Sequence, residues 1–242
     1  MLIFGKLGDL YGQRRIFCIG LIASIFALLL ISTADSFNLL LFFRFLQGVG
    51  IGLVTSVAPA MMIALYPEEK RAYAVGLFTL FFALGGLLGP IIGGVLINLF
   101  DWRAVFWINP PIIALAMVLS ILLVPNSRDI AGSPMDPIGG ALSVGALGFV
   151  LFAIIEGPSL GWRSREVLAL GAMGVVLSFL FVWWERKTEH PMLPIGFFQN
   201  RGFSLGLIAI SLAFFVMFSF MFTQMLHFQL VRERSAFEAA LR

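Results

Sequence analysis

In the stretch NLLLFFRFLQGVGIGLVTSVAP, residues 38 to 59, one arginine stands among aliphatic and aromatic side chains. Arg44 lies eight residues past Ser36, which at about 1.5 Å per residue places it roughly 12 Å down a helix. If that helix crosses a bilayer, Arg44 approaches mid-depth, where insertion of an arginine costs at least about 2.5 to 3.5 kcal/mol. Such a guanidinium either snorkels back to the surface or faces a wet interior. The interior is favoured here, because Arg44, Gln47, Gly48, Gly52, Thr55 and Pro59 recur at helical intervals and form one polar, small-residue stripe.

Two further stretches carry chemistry of position. GGLLGPIIGG, residues 85 to 94, sets Gly85, Gly89 and Gly93 in one helical row and Gly86, Pro90 and Gly94 in the next. Without a hydrophobic drive between helices in lipid, such rows let a neighbour approach to van der Waals distance. Pro90 offers no N–H to the carbonyl of Gly86, which predicts a kink. GKLGDLYGQRR, residues 5 to 15, packs Gly5, Gly8 and Gly12 around Asp9, Lys6, Arg14 and Arg15. Its composition predicts a tight, charged turn between two helices.

These residues need elements to hold them, and composition says which. The 242 residues are 60% hydrophobic and 12% charged, against roughly 45 to 50% and about 25% in soluble domains. The excess recurs along the whole chain and predicts an all-α, multi-pass membrane bundle. About 20 apolar residues span a bilayer. Seven stretches qualify: 16–34, 39–65, 72–100, 104–124, 137–155, 167–184 and 202–231. A single cysteine, Cys18, excludes an intramolecular disulfide, and with two histidines leaves little for a metal. Nothing points to nucleic acid. No nucleophile with a base, and no His/Asp/Glu cluster, falls at membrane depth, so an enzyme is not expected.

Basic residues set the expected orientation. One side carries Lys6, Arg14, Arg15, Lys70, Arg71, Arg128, Arg186, Lys187 and Arg201, and the other Arg103, Arg163 and Arg165. That imbalance makes the GKLGDLYGQRR side cytoplasmic, although Arg232, Arg234 and Arg242 after the seventh span weaken it. Trp183 and Trp184 read as an interfacial aromatic belt. His227, near the end of the last span, reads as an interfacial residue with a local hydrogen bond.

The three motifs together resemble the major facilitator superfamily, and in particular its fourteen-helix drug/proton antiporters. Gly5, Leu7, Asp9, Gly12 and Arg14 match the loop that joins the second and third helices of that family and is linked to switching between inward- and outward-open states. Leu10 and Gln13 stand where the family carries basic residues. The RFLQG of residues 44 to 48 is similar to a fourth-helix motif whose arginine is implicated in proton transfer. Residues 85 to 94 match the fifth-helix GxxxGPxxGG pattern of antiporters. DWRAVFWINPP, MDPIGGALSVG, GPSLGW and HPMLPIGFFQNRGFS fit the same family, so the resemblance covers essentially the whole chain.

The resemblance implies an N-terminal transporter half at 1–124, a linker with two extra spans at 125–201, and the start of a C-terminal half at 202–242. It implies proton-coupled efflux of small hydrophobic or cationic solutes from the cell membrane, driven by the proton gradient with no cofactor; protons and membrane lipid are the other expected partners. Arg44, Gln47 and Thr55 would line the pathway. Asp9, Arg14 and Arg15, with Gly5 and Gly12, would form the gate loop, and Gly85, Gly89, Pro90, Gly93 and Gly94 the flexible helix. By this reading the chain starts inside the family's second helix and is a fragment, and its coupling carboxylate comes from elsewhere, since Asp35, Asp101, Glu156 and Glu166 all sit at span ends. A non-transporting truncated protein or partner subunit, and a solute symporter of the same superfamily, remain alternatives.

Overall fold

The computed structural model describes residues 2–127 and 135–227. Among them the chain forms helices α1 (Leu2–Tyr11), α2 (Gln13–Ser32), α3 (Phe37–Ala64), α4 (Arg71–Leu99), α5 (Ala104–Trp107), α6 (Asn109–Leu123), α7 (Pro137–Leu160), α8 (Arg165–Lys187) and α9 (Arg201–Leu226), with short 3-10 turns at Glu68–Lys70 and Ile195–Gln199. Seven helical stretches are long and apolar enough to cross a membrane, and they fall on the seven expected segments. Arg128, Arg232, Arg234, Arg242 and the end of the seventh segment lie outside the described residues.

Local chemistry fixes several helix starts. Ser36 and Ser164 each accept a hydrogen bond from the backbone three residues on, at 3.3 and 3.2 Å, and Asp136 caps α7 through the amides of Ile138 and Gly139. The fourth expected span is broken at Ile108, where α5 gives way to α6. Pro110 stands in the first turn of α6, where its missing N–H costs no helical bond.

Residues 5 to 15 do not form the tight turn expected. Helix α1 runs through Gly5, Gly8 and Asp9 as far as Tyr11, α2 starts at Gln13, and the break is confined to Gly12. Gly12 adopts φ 102°, a conformation that L side chains rarely take. Helical continuity follows from burial: Phe4 and Leu7 of α1 pack, with Phe17 and Val124, on a core of Ile16, Leu53, Val57 and Met61.

Contacts divide the chain into two units, one made of α1 to α6 with α9 from Ala209 onward, the other of α7, α8 and α9 up to Ile208. In the first, α2 is the central helix and packs on α3, α5 and α6, while α4 packs on α3. The α2–α3 contact is close. A β-carbon on Gly20 would stand 2.8 Å from the carbonyl oxygen of Gly50, and one on Gly50 would stand 2.5 Å from Oγ of Ser24. The second unit rests on the α7–α8 hairpin, whose turn uses Gly161 at φ 87°.

Candidate functional site

Helices α2, α3, α5 and α6 of the first unit enclose an open cavity of about 400 Å³. Its walls are mostly aliphatic, and its polar groups are Arg44 and Gln47 from α3, Ser24 from α2 and Asn109 from α6. Size and lining match small-molecule sites, which are largely apolar with a few placed polar groups.

Arg44 supplies the only formal charge among the described lining residues. Its Nη1 donates to Oε1 of Gln47 at 3.0 Å, the i, i+3 neighbour one turn further along α3. Its Cζ lies 4.7 Å from the centroid of the Phe106 ring, within cation–π range. The guanidinium is thus held from its own helix and from α5. Phe106 in turn meets Trp102 edge-on at 5.9 Å, and Arg103 stacks over Trp102 at 4.4 Å while reaching Asp101 and the carbonyl of Ala34. An aromatic and cationic series therefore runs from the α4–α5 connection to the cavity arginine.

Other residues of the expected stripe go elsewhere. The hydroxyl of Thr55 bonds back to the carbonyl of Ile51 at 2.9 Å, and Thr55 does not border the cavity. Gly52 lies against the ring of Phe4, and nothing approaches Gly48 within 4 Å. Ser24, Phe106 and Asn109 did not emerge as site residues from sequence. Asn109 donates to the carbonyl of Val105 at 2.7 Å, bridging the α5–α6 break. The INPP in which it sits was the available signal, an asparagine beside a helix start.

The charged corner is a second constellation. Arg14 does not pair with Asp9. Its Nη1 donates to the carbonyls of Val124 at 2.9 Å and Ile121 at 3.2 Å, at the C-terminal end of α6. A cation there satisfies free carbonyls and complements the helix dipole. The amide of Gln13 donates to the carbonyl of Ser127, the Ser127 hydroxyl to Oε1 of Gln13, and the Asn126 side chain lies over Gly12. Asp9 accepts from Nε2 of Gln13 at 3.4 Å. Gly5 has open space beside it, and Arg15 is exposed. The first residues of α2 are thereby tied to the end of α6.

Helix α4 runs unbroken through Pro90. Beside Gly85, Gly86, Gly89 and Gly93 no atom of the described structure comes within 4 Å of a would-be β-carbon, whereas Gly94 is buried. The broad glycine face is open among the described residues.

A family model for the Major Facilitator Superfamily matches residues 1–241. The chain belongs to the major facilitator superfamily. It is an all-α, multi-pass protein of the cell membrane, with the seven spans above as its share of the superfamily fold. It is 32% identical over 213 residues to the multidrug resistance protein Stp of Mycobacterium tuberculosis, covering 88% of this chain and 40% of that one. It is 33% identical over 242 residues to a methylenomycin A resistance protein of Bacillus subtilis, covering 100% of this chain and 52% of the relative. With the multidrug export protein EmrB of Escherichia coli it shares 30% identity over 217 residues, 88% of this chain and 42% of that one. This superfamily chain spans about half, or less, of the length of the curated relatives it matches.

Proposed function

We propose that this chain forms part of a secondary transporter that exports small hydrophobic or cationic compounds in exchange for protons. Residues 1–124 contribute to its N-terminal half, 125–201 an inserted pair of spans, and 202–242 the start of its C-terminal half. The observation that carries the reading is the placement of Arg44: a guanidinium bonded to Gln47, lying against Phe106, at the wall of an apolar cavity of about 400 Å³ between packed helices. The names of relatives that confer drug resistance support the solute class.

In this mechanism solute enters the cavity through its apolar walls, and Arg44 couples occupancy to proton movement by changing its hydrogen-bond partners. Gln47 holds it in one of those states. Alternating access rocks two opposed halves about a central site, with the Arg14 contact to the end of α6 as one of the links that exchange. The gate residues Gly5, Asp9, Gly12 and Arg15, and the α4 residues Gly85, Gly89, Pro90, Gly93 and Gly94, act in the conformational cycle.

The test uses the transporter that contains this chain, produced in cells without their own efflux pumps, and follows a fluorescent lipophilic cation with and without a protonophore. Protonophore-sensitive export is expected, abolished by Arg44→Ala at unchanged membrane level. Wild-type export by that variant overturns the role of Arg44; export insensitive to the protonophore overturns the coupling.

A further inference from the structure

Three side chains meet at the base of the α7–α8 hairpin, and they belong neither to the Arg44 cavity nor to the corner at Gly12. Asp136, the N-cap of α7, accepts at Oδ1 from the amides of Ile138 at 3.1 Å and Gly139 at 2.9 Å. Its Oδ2 accepts from the indole Nε1 of Trp184 at 2.7 Å. With three N–H donors it is built as an acceptor-only carboxylate.

Glu185, the next residue along α8, is 3% exposed. Its Oε2 accepts from the amide of Leu193 at 3.0 Å, and the amide of Met192 faces the same carboxyl. Its Oε1 is buried with no hydrogen-bond partner. This bare oxygen and Asp136 crowd the same glycine, with Glu185 Oε1 2.9 Å and Asp136 Oδ2 2.5 Å from the point where a β-carbon of residue 139 would stand. Glycine at 139 leaves the space between the two carboxyls open.

No cation fills that space among the described residues. From α7 the charged group facing Glu185 is Asp136 itself. On α8, Arg186 and Lys187 are exposed, and the ammonium of Lys187 lies over the Trp183 ring at 5.1 Å. Glu189 and His190 are exposed, and residues 191 to 199 carry no ionisable side chain. Two buried carboxylates that share a site without a cation do not both ionise, and an unpaired buried charge is strongly unfavourable.

We propose that Asp136 and Glu185 form a proton-binding pair, in which Oε1 of Glu185 takes a proton from water and Asp136 keeps the charge. The proton removes the cost of a charge buried away from water and, after it, the repulsion from Asp136, and it gives the bare oxygen a hydrogen to donate. Water reaches Glu185 through an adjoining cavity of about 700 Å³ that Glu185 borders together with Thr188, Pro191 and the exposed Arg186. The bound proton holds a clasp. While Glu185 is neutral it keeps the Leu193 amide, and with it the segment leading into α9, against the α7–α8 hairpin. As pH rises and the proton leaves, the charge left on Glu185 is buried away from water, with Asp136 adding repulsion, and together these outweigh its bond to the Leu193 amide and open the clasp, so the closed form is favoured at low pH and lost at high pH.

The test uses the full chain in lipid nanodiscs, wild type beside Glu185→Gln, Asp136→Asn and Trp184→Phe. Infrared spectra at neutral pH are expected to contain the carbonyl band of a protonated carboxylic acid, shifted in D2O, lost on raising pH and missing from Glu185→Gln. In Asp136→Asn the band is expected to disappear at lower pH than in wild type, because Glu185 ionises more easily once the neighbouring negative charge is gone. The emission of Trp184, taken as wild type minus Trp184→Phe, changes over the same pH range and is pH-invariant in Glu185→Gln. That variant keeps the shape of the neutral acid and therefore accumulates to wild-type level. The absence of a band assignable to Glu185, an unchanged titration in Asp136→Asn, a Trp184 emission that titrates alike in Glu185→Gln, or failure of Glu185→Gln to fold each overturns the proposal.

Discussion

The guanidinium of Arg44 on α3 lies over the ring of Phe106 on α5, with Cζ 4.7 Å from the ring centroid. A long arginine in an apolar cavity has many rotamers, and fixing one of them costs side-chain entropy. The ring and Gln47 together offset that cost and set where the charge is presented. Cation–π contacts contribute about 0.5 to 2 kcal/mol. Phe106→Leu keeps the volume nearly constant and removes the π face. Export is expected to fall several-fold at unchanged protein level, with Phe106→Tyr near wild type. Equal loss in both variants identifies shape, and not the π face, as what matters at 106.

Arg14 joins two helix ends through the carbonyls of Ile121 and Val124. Hydrogen bonds to charged groups contribute about 1.5 to 3 kcal/mol. Arg14→Ala is expected to lower the melting temperature of the purified protein by several degrees, with Arg14→Lys in between, since a lysine keeps the charge but loses the planar fork. An unchanged melting temperature in Arg14→Ala removes this contact from the stability of the fold.

The spans were legible because a run of about 20 apolar residues is a one-dimensional property. Arg44 with Gln47 was legible for a similar reason, since their contact lies within one helix at i, i+3. The partners of Arg14 were not, because 107 and 110 residues separate it from the carbonyls it meets. The continuity of α1 depends on where Phe4 and Leu7 are buried, which a charged, glycine-rich string conceals. Thr55 fits the polar stripe by spacing, yet a hydroxyl in an apolar helix turns to its own backbone, as at Ile51. Trp183 is exposed, in keeping with a belt, while Trp184 turns inward to Asp136; two adjacent identical letters gave no hint of the difference.

Glycines divide in the same way, and the division is testable. The repeated string at 85 to 94 is conspicuous, but Gly20 and Gly50 mark a close approach of α2 and α3. A β-carbon at Gly20 would stand 2.8 Å from both the Gly50 oxygen and Cβ of Leu53, so Gly20→Val is expected to force α2 from α3 and sharply reduce folded protein. Overpacking of this kind costs about 1 to 3 kcal/mol. Gly89→Leu meets nothing within 4 Å, so folded yield is expected to stay unchanged; the proposed role of this face in the transport cycle then predicts loss of export. Full export by Gly89→Leu means that the face looks onto lipid.

Orientation gives the last prediction. Arg71 opens α4, and Arg163 lies in the turn between α7 and α8. Between them the chain crosses the membrane three times, by α4, by α5 with α6, and by α7, so the two positions belong on opposite sides. The side of Arg71 shares its face with Lys6, Arg14, Arg15, Lys70, Arg186, Lys187 and Arg201, and the side of Arg163 with Arg103 and Arg165. Basic residues in short loops near span ends are retained in the cytoplasm. A reporter active only in the cytoplasm is therefore expected to give signal when fused after Arg71 and none when fused after Arg163, with the reverse for a reporter active only outside. Matching readouts at the two sites mean that one of the three stretches does not cross, and α5 with α6, broken at Ile108, is the first to re-examine.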